Sequence, residues 1–168
     1  MPVSTIRATA HVYLLLGANL GDKQQTFAQA RQHIAGQVGT IASVSSLYET
    51  EAWGVTGQPT YLNQVLLVDT YLTPADVLVQ TQAIEQRLGR VRAEKWGARL
   101  IDVDLLFYDS LILNSPTLTI PHPLLHERRF TLMPLAELAP DFVHPVLGLP
   151  VHTLLANCTD ENEVIKFS

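Results

Sequence analysis

Asp102 and Asp104 stand two positions apart in the otherwise apolar run 101–108. Strand alternation points both carboxylates to one face and Ile101, Val103, Leu105 and Phe107 to the other. Two neighbouring acids on a sheet repel each other and lose hydration, so a divalent cation is a natural partner. An all-oxygen donor set favours Mg2+ over zinc. The same pattern fits two acids bonded to arginines at a strand edge, and the spacing alone leaves both readings open. The stretch just upstream favours the cation: Arg87, Arg90, Arg92, Lys95 and Arg99 gather five of the 11 basic residues into thirteen positions. Guanidinium forks bind phosphate oxygens in pairs, and a carboxylate-held metal bridges the same oxygens, so the combination suits a nucleoside triphosphate. Arg87 and Arg90 also fall near a helix C-terminus, where a cation complements the helix dipole. The stretch 17–23 carries Asp22 between its second glycine and Lys23, so it is not a phosphate-binding loop, and neither GxGxxG nor a protein-kinase signature occurs. Any phosphoryl chemistry must come from the sheet and its loops.

Trp53, Tyr61, Trp96 and Phe130 lie next to polar, glycine or arginine residues, and flat rings so placed can sandwich a flat heterocycle. Asn63 shares the strand face of Tyr61 and offers a donor and an acceptor to a ring edge carrying both. Tyr13, Tyr71 and Phe107 read instead as core. Of the six histidines, His122 stands out because Pro121 and Pro123 fix its backbone and Arg128 follows closely. His126, His144 and His152 read as surface or packed residues. Zinc is disfavoured: no cysteine lies near them and the prolines oppose a helix.

These residues need a scaffold, and 168 residues suit one domain, 1–168, with 1–9 as a loose leader. The chain is 47% hydrophobic and 16% charged, which excludes disorder for most of it. A net charge of -5 argues against a protein that coats nucleic acid. No stretch approaches the ~20 apolar residues of a membrane helix, nor does a secretory signal stand out. The single cysteine, Cys158, has no disulfide partner, which fits the cytoplasm.

Residues 11–16 form a strand that ends at Gly17, and turn chemistry over 18–22 leads into a helix over 23–37 with Phe27, Ala30, Ile34 and Ala35 at helical spacing. A second strand falls within 38–48, a long loop over 50–59, and a third strand over 61–71. Pro74 opens a second helix that Gly89 stops. A fourth strand covers 101–108, and a short hairpin-like excursion runs towards Ile120. Six prolines then divide the rest, with a helix or turn cluster at 128–138 and a short terminal helix at 151–157. Strand, helix, two strands, helix, strand is the order of an α+β, ferredoxin-like βαββαβ sheet, with helices on one face and a site under loops on the other.

Taken in order, Gly17-Ala18-Asn19-Leu20-Gly21-Asp22, Tyr48-Glu49-Thr50-Glu51-Ala52-Trp53-Gly54, Gln58-Pro59-Thr60-Tyr61-Leu62-Asn63, Trp96-Gly97-Ala98-Arg99-Leu100-Ile101-Asp102-Val103-Asp104 and Pro121-His122-Pro123 with Arg128-Arg129-Phe130 resemble the 6-hydroxymethyl-7,8-dihydropterin pyrophosphokinases of folate biosynthesis. The resemblance runs from about Val12 to Pro145. It implies an enzyme, usually monomeric, that moves the terminal diphosphate of ATP to the hydroxymethyl group of the reduced pterin and releases AMP. By resemblance, Asp102 and Asp104 hold two Mg2+ ions, while Arg90, Arg92, Arg99, His122 and Arg128 neutralise the triphosphate. Arg90, Arg92 and Arg99 count with the two aspartates as catalytic. Gln82 and Glu85 face the nucleotide. The pterin stacks between Tyr61 and Phe130, with Asn63 on its amide edge, Thr50 and Trp53 beside it and Trp96 closing over it. Segments 50–59 and 91–97 are candidate lids. Ala52 replaces the proline common in the family, which makes the first segment less pre-set.

Two rivals remain: a metal-dependent nucleotidyl-transfer or cyclase domain using the same paired acids, and a small-molecule sensor in which Asp102 and Asp104 only pair with arginines.

Overall fold

Along Ala10–Ala18 apolar side chains point both ways, the pattern of a strand covered on both faces. The computed structural model describes residues 8–51, 60–89 and 100–167 and makes this strand, β1, an interior strand of the sheet, paired on both sides. The other elements are α1 (Lys23–Gln37), β2 (Thr40–Val44), β3 (Tyr48–Thr50), β4 (Tyr61–Thr70), α2 (Pro74–Gly89), β5 (Asp102–Tyr108), β6 (Leu113–Asn114), β7 (Thr119–Ile120), α3 (Arg129–Leu138), α4 (Val151–Asn157) and β8 (Val164–Lys166). Six strands pair antiparallel in the order β5-β1-β4-β3-β8, with β2 also on β4. The class is α+β, as expected. Strands β6 and β7 form the small separate hairpin.

One sheet face carries α1 and α2. Phe27, Ala30 and Ile34 of α1 and Val77 and Ile84 of α2 are buried against Leu14, Leu16, Leu66, Val68, Val103 and Leu105, and each large side chain so buried contributes about 1.5–3 kcal/mol. Asp22 caps α1 by accepting the Gln25 N–H at 3.1 Å. The other face is not left to loops. Leu132 and Leu135 of α3 and Val151 and Leu154 of α4 pack on Tyr13, Leu15, Val65, Leu106 and Phe107. Helices on one face alone is therefore corrected: α3 and α4 lie on the second face, because their apolar stripes need the same cover as any other.

Three local expectations also change. The strand expected within 38–48 is two, β2 and β3, each pairing with its own half of β4. The chain jogs at Ser45, whose N–H donates to the Val65 carbonyl while its Oγ accepts the Val65 N–H, both at 2.9 Å. Phe107 does not share the face of Val103 and Leu105. Tyr13 pairs with Phe107 but Leu14 with Leu105, so Leu106 is an extra residue, and the bulge brings Leu106 and Phe107 into the same cluster. Tyr71 is 63% exposed just beyond β4, not core.

Gly39 precedes β2 where the backbones almost touch: a Cβ there would sit 2.1 Å from the Asp69 carbonyl oxygen. Since the obstacle is main chain, Gly39→Ala should destabilise the fold by about 2–3 kcal/mol, read as a lower urea midpoint with unchanged slope.

Candidate functional site

Strand register assembles the site. Gly17 pairs with Asn63 of β4 on one side and Asp102 of β5 on the other, and Leu15 pairs likewise with Val65 and Asp104. Two parallel rows thus cross three strands, Asn63–Gly17–Asp102 and Val65–Leu15–Asp104. Period two puts all six residues on the face shared with α3. Gly17 has no side chain to stand between the amide and the carboxylate, so the sheet is hollow there. A cavity of about 360 Å³ fills that hollow, within the range of small-molecule sites, lined by Leu15, Gly17, Thr50, Glu51, Tyr61, Asn63, Asp102, Asp104, Arg128, Phe130 and Asn162.

Each polar group has a held position. Asn63 is buried and its Nδ2 donates to Thr50 Oγ1 at 3.3 Å, across the β3–β4 ladder. Lys23 donates to the Thr60 carbonyl at 2.8 Å and so fixes the chain just before Tyr61. Arg128 lies over the Phe130 ring, 5.6 Å from its centre, a cation–π placement that steadies both. Arg129 is spent elsewhere: its Nε donates to the Asp160 carbonyl and its Nη2 to the Cys158 carbonyl, each at 3.0 Å. Of the two adjacent arginines only Arg128 lines the cavity.

His122 stands near Asp104 and Arg128. Burial and the Arg128 charge hold its ring below the ordinary histidine range, outweighing the opposite pull of Asp104. Its Nδ1 accepts the Leu124 N–H at 3.2 Å, so a neutral ring carries its proton on Nε2 and can donate from there. Glu85 accepts the Val103 N–H at 2.9 Å, tying α2 to the outer edge of β5, and Gln82 is exposed on the same helix. Neither is among the residues lining the cavity.

Behind the wall, Glu137 of α3 accepts from the Ser46 N–H at 2.6 Å and the Tyr48 hydroxyl at 2.7 Å, with Lys166 at 3.8 Å. Burial alone would raise its carboxyl, but these partners hold it below the ordinary glutamate range. A carboxyl depressed in the fold contributes stability above the unfolded value of about 4.3 and loses it as pH falls through the folded one. Glu137→Gln should therefore flatten the loss of stability below about pH 4.3, followed by thermal unfolding across pH 2–6.

Of the residues the sequence singles out, Thr50, Tyr61, Asn63, Asp102, Asp104, Arg128 and Phe130 line this one cavity, with His122 near Asp104 and Arg128. Trp53, Arg90, Arg92, Trp96 and Arg99, Ala52, most of the 50–59 segment and all of 91–97 lie outside the described residues. Leu15, Gly17, Glu51 and Asn162 were not anticipated. Gly17 reads as a strand end in the sequence, and only the register shows it to be the floor.

Among the described residues the lining carries three carboxylates, Glu51, Asp102 and Asp104, against one guanidinium, Arg128. An anionic ligand beside Asp102 and Asp104 needs further positive charge. Two half-buried carboxylates on one strand face are a hard, all-oxygen donor pair, which suits Mg2+ sharing its shell with water and phosphate oxygens. Among the described residues no group of three or more His, Cys, Asp or Glu could hold a metal ion.

A family model described as 7,8-dihydro-6-hydroxymethylpterin-pyrophosphokinase matches residues 13–140. A 2-amino-4-hydroxy-6-hydroxymethyldihydropteridine pyrophosphokinase of Methylorubrum extorquens is 44% identical over 132 residues, covering 78% of this chain and 84% of that one. Its counterpart from Aquifex aeolicus is 37% identical over 142 residues, covering 84% and 88%. In three dimensions the chain is similar to a Plasmodium falciparum HPPK-DHPS crystallised with SDX-DHP, at a TM-score of 0.73 and 16% identity, over 91% of this chain and 46% of that one.

Proposed function

The chain belongs to the 7,8-dihydro-6-hydroxymethylpterin-pyrophosphokinase family, and from that premise we propose how its residues divide the work. It is a pyrophosphokinase of folate biosynthesis, transferring the terminal diphosphate of ATP to the hydroxymethyl group of 6-hydroxymethyl-7,8-dihydropterin and releasing AMP. The observation that carries the division of roles is the single cavity on which Asp102, Asp104, Arg128, Tyr61, Asn63 and Phe130 meet.

The pterin stacks between Tyr61 and Phe130. Asn63, its amide held by Thr50, reads the pterin's amide edge, and Trp53 and Trp96 contribute from their segments. Asp102 and Asp104 would hold two Mg2+ ions, which when bound would supply positive charge for the triphosphate and the attacking hydroxyl. Arg128, His122, Arg90, Arg92 and Arg99 bind the phosphate oxygens, with Gln82 and Glu85 on the nucleotide side. The hydroxymethyl oxygen attacks the β-phosphorus in line, the bond to the α-phosphate oxygen breaks, AMP leaves, and Asp104 takes the hydroxyl proton. Positioning and charge stabilisation carry most of such a reaction.

The strand order β5-β1-β4-β2 supports a ferredoxin-like reading of the four main strands. The chain works as one domain and as a monomer in the cytoplasm, without nucleic acid or membrane. Its net charge of -5 supports the former exclusion. Among the described residues no helix is long and apolar enough to cross a membrane.

Product analysis with ATP, Mg2+ and 6-hydroxymethyl-7,8-dihydropterin, against a metal-free control, tests the scheme. Pterin-dependent AMP without ADP, lost when metal is removed, is the expected result. Pyrophosphate release would support the nucleotidyl-transfer rival, and intact ATP the sensor.

A further inference from the structure

The C-terminal segment lies beyond the 13–140 match, yet it supplies a wall of the cavity. Two anchors set its course. Asp160 is clamped to the start of α3: its Oδ2 accepts the Arg129 N–H and its carbonyl accepts Arg129 Nε, each at 3.0 Å. Four residues later Val164 enters β8, where it pairs with Thr50 of β3. Asn162 spans the gap between these anchors. Its N–H donates to Asp160 Oδ1 at 3.0 Å, and the residue lines the cavity together with Thr50, Asn63 and Phe130.

The amide of Asn162 is unsatisfied. Its Nδ2 is withdrawn from water and has no acceptor among the described residues. A buried donor without a partner is costly, and a turn about the last side-chain torsion would offer it to an acceptor arriving in the cavity. Strand order says which part of a ligand that would be. Asp102 and Asp104 lie on β5, at one end of the sheet, whereas Asn162 leads into β8, at the other. With strands about 4.8 Å apart, Asn162 sits on the Thr50 side, away from the carboxylates.

We propose that Asn162 is a substrate-binding residue for the heterocycle, donating from its side-chain amide to a ring nitrogen or carbonyl oxygen, and that the Arg129–Asp160 clamp and β8 position it. This rests on the pterin reading of the cavity. It makes pterin affinity depend on a segment outside the family match.

The test compares wild type with Asn162→Ala and Asn162→Asp, the second keeping size and shape while removing the donor. In both, KM and Kd for the pterin should rise about tenfold, with KM for ATP unchanged and thermal unfolding close to wild type. If the alanine variant fails to fold, the isosteric aspartate variant decides alone. Pterin affinity within twofold of wild type, or equal losses for both substrates, would overturn the proposal. Wild type that forms no AMP with the pterin would instead remove the reading beneath it, and this inference with it. Wild type active with indifferent variants removes only the role of Asn162.

Discussion

Asp104→Ala should lower pterin-dependent AMP formation by about a thousandfold or more, the scale of losing a group that stabilises transition-state charge in an enclosed site. Asp104 sits opposite Leu15 on β5, half-buried and facing the cavity, so its removal empties no core. The variant should therefore unfold within a few degrees of wild type and still bind ATP through its arginines, as calorimetry would show. Asp104→Asn separates charge from shape: it keeps the volume but neither the negative charge nor the proton acceptor, and should be as inactive as the alanine variant. Unchanged turnover would return Asp102 and Asp104 to a structural pairing with arginines. A loss confined to ATP affinity would leave Asp104 with a binding role and send the proton elsewhere.

Which parts of this were legible beforehand follows from the range of the forces involved. Helix α1 and helix α4 have their expected bounds, because capping by Asp22 and the apolar spacing of Phe27, Ala30 and Ile34 are local. The paired acids were readable because period two is a property of one strand. The bulge at Leu106 was not, since it exists only relative to β1, and it reassigns Phe107 to the other face. Strand β8 is three residues long and takes its shape from β3, so nothing in Val164-Ile165-Lys166 alone marks it. Arg128 rather than Arg129 is already the choice of the sequence motif, and the structure adds the reason Arg129 is occupied, its bond to Asp160, 31 residues away. In the site, the paired acids and Asn63 are legible from their own residue types and strand spacing, while Glu51, one position beyond Thr50, is not. Nor are those defined by a neighbour, Gly17 as the hollow and Asn162 as the wall.

The bulge also separates two functions along β5 that a single pair of variants can tell apart. Phe107 has no exposed surface and meets Phe142 at 4.7 Å, His144 at 5.5 Å and Tyr13 at 6.1 Å between ring centres. This cluster continues into the contacts that seat α3 and α4 on the sheet. Phe107→Ala removes a full aromatic side chain from a site walled by other rings, so it should cost about 3–5 kcal/mol. That is a large part of the 5–15 kcal/mol typical of a domain, and at this size it should lower Tm on the order of 10 °C. Measured well below that transition, AMP formation should stay within a few-fold of wild type, because Phe107 does not line the cavity. Asp104→Ala should do the reverse, three residues away on the same strand. If Phe107→Ala instead loses activity while still folded, then the position of α3, and with it of Arg128 and Phe130, depends on this aromatic cluster. A Tm shift under about 3 °C would mean that the surrounding rings close over the space.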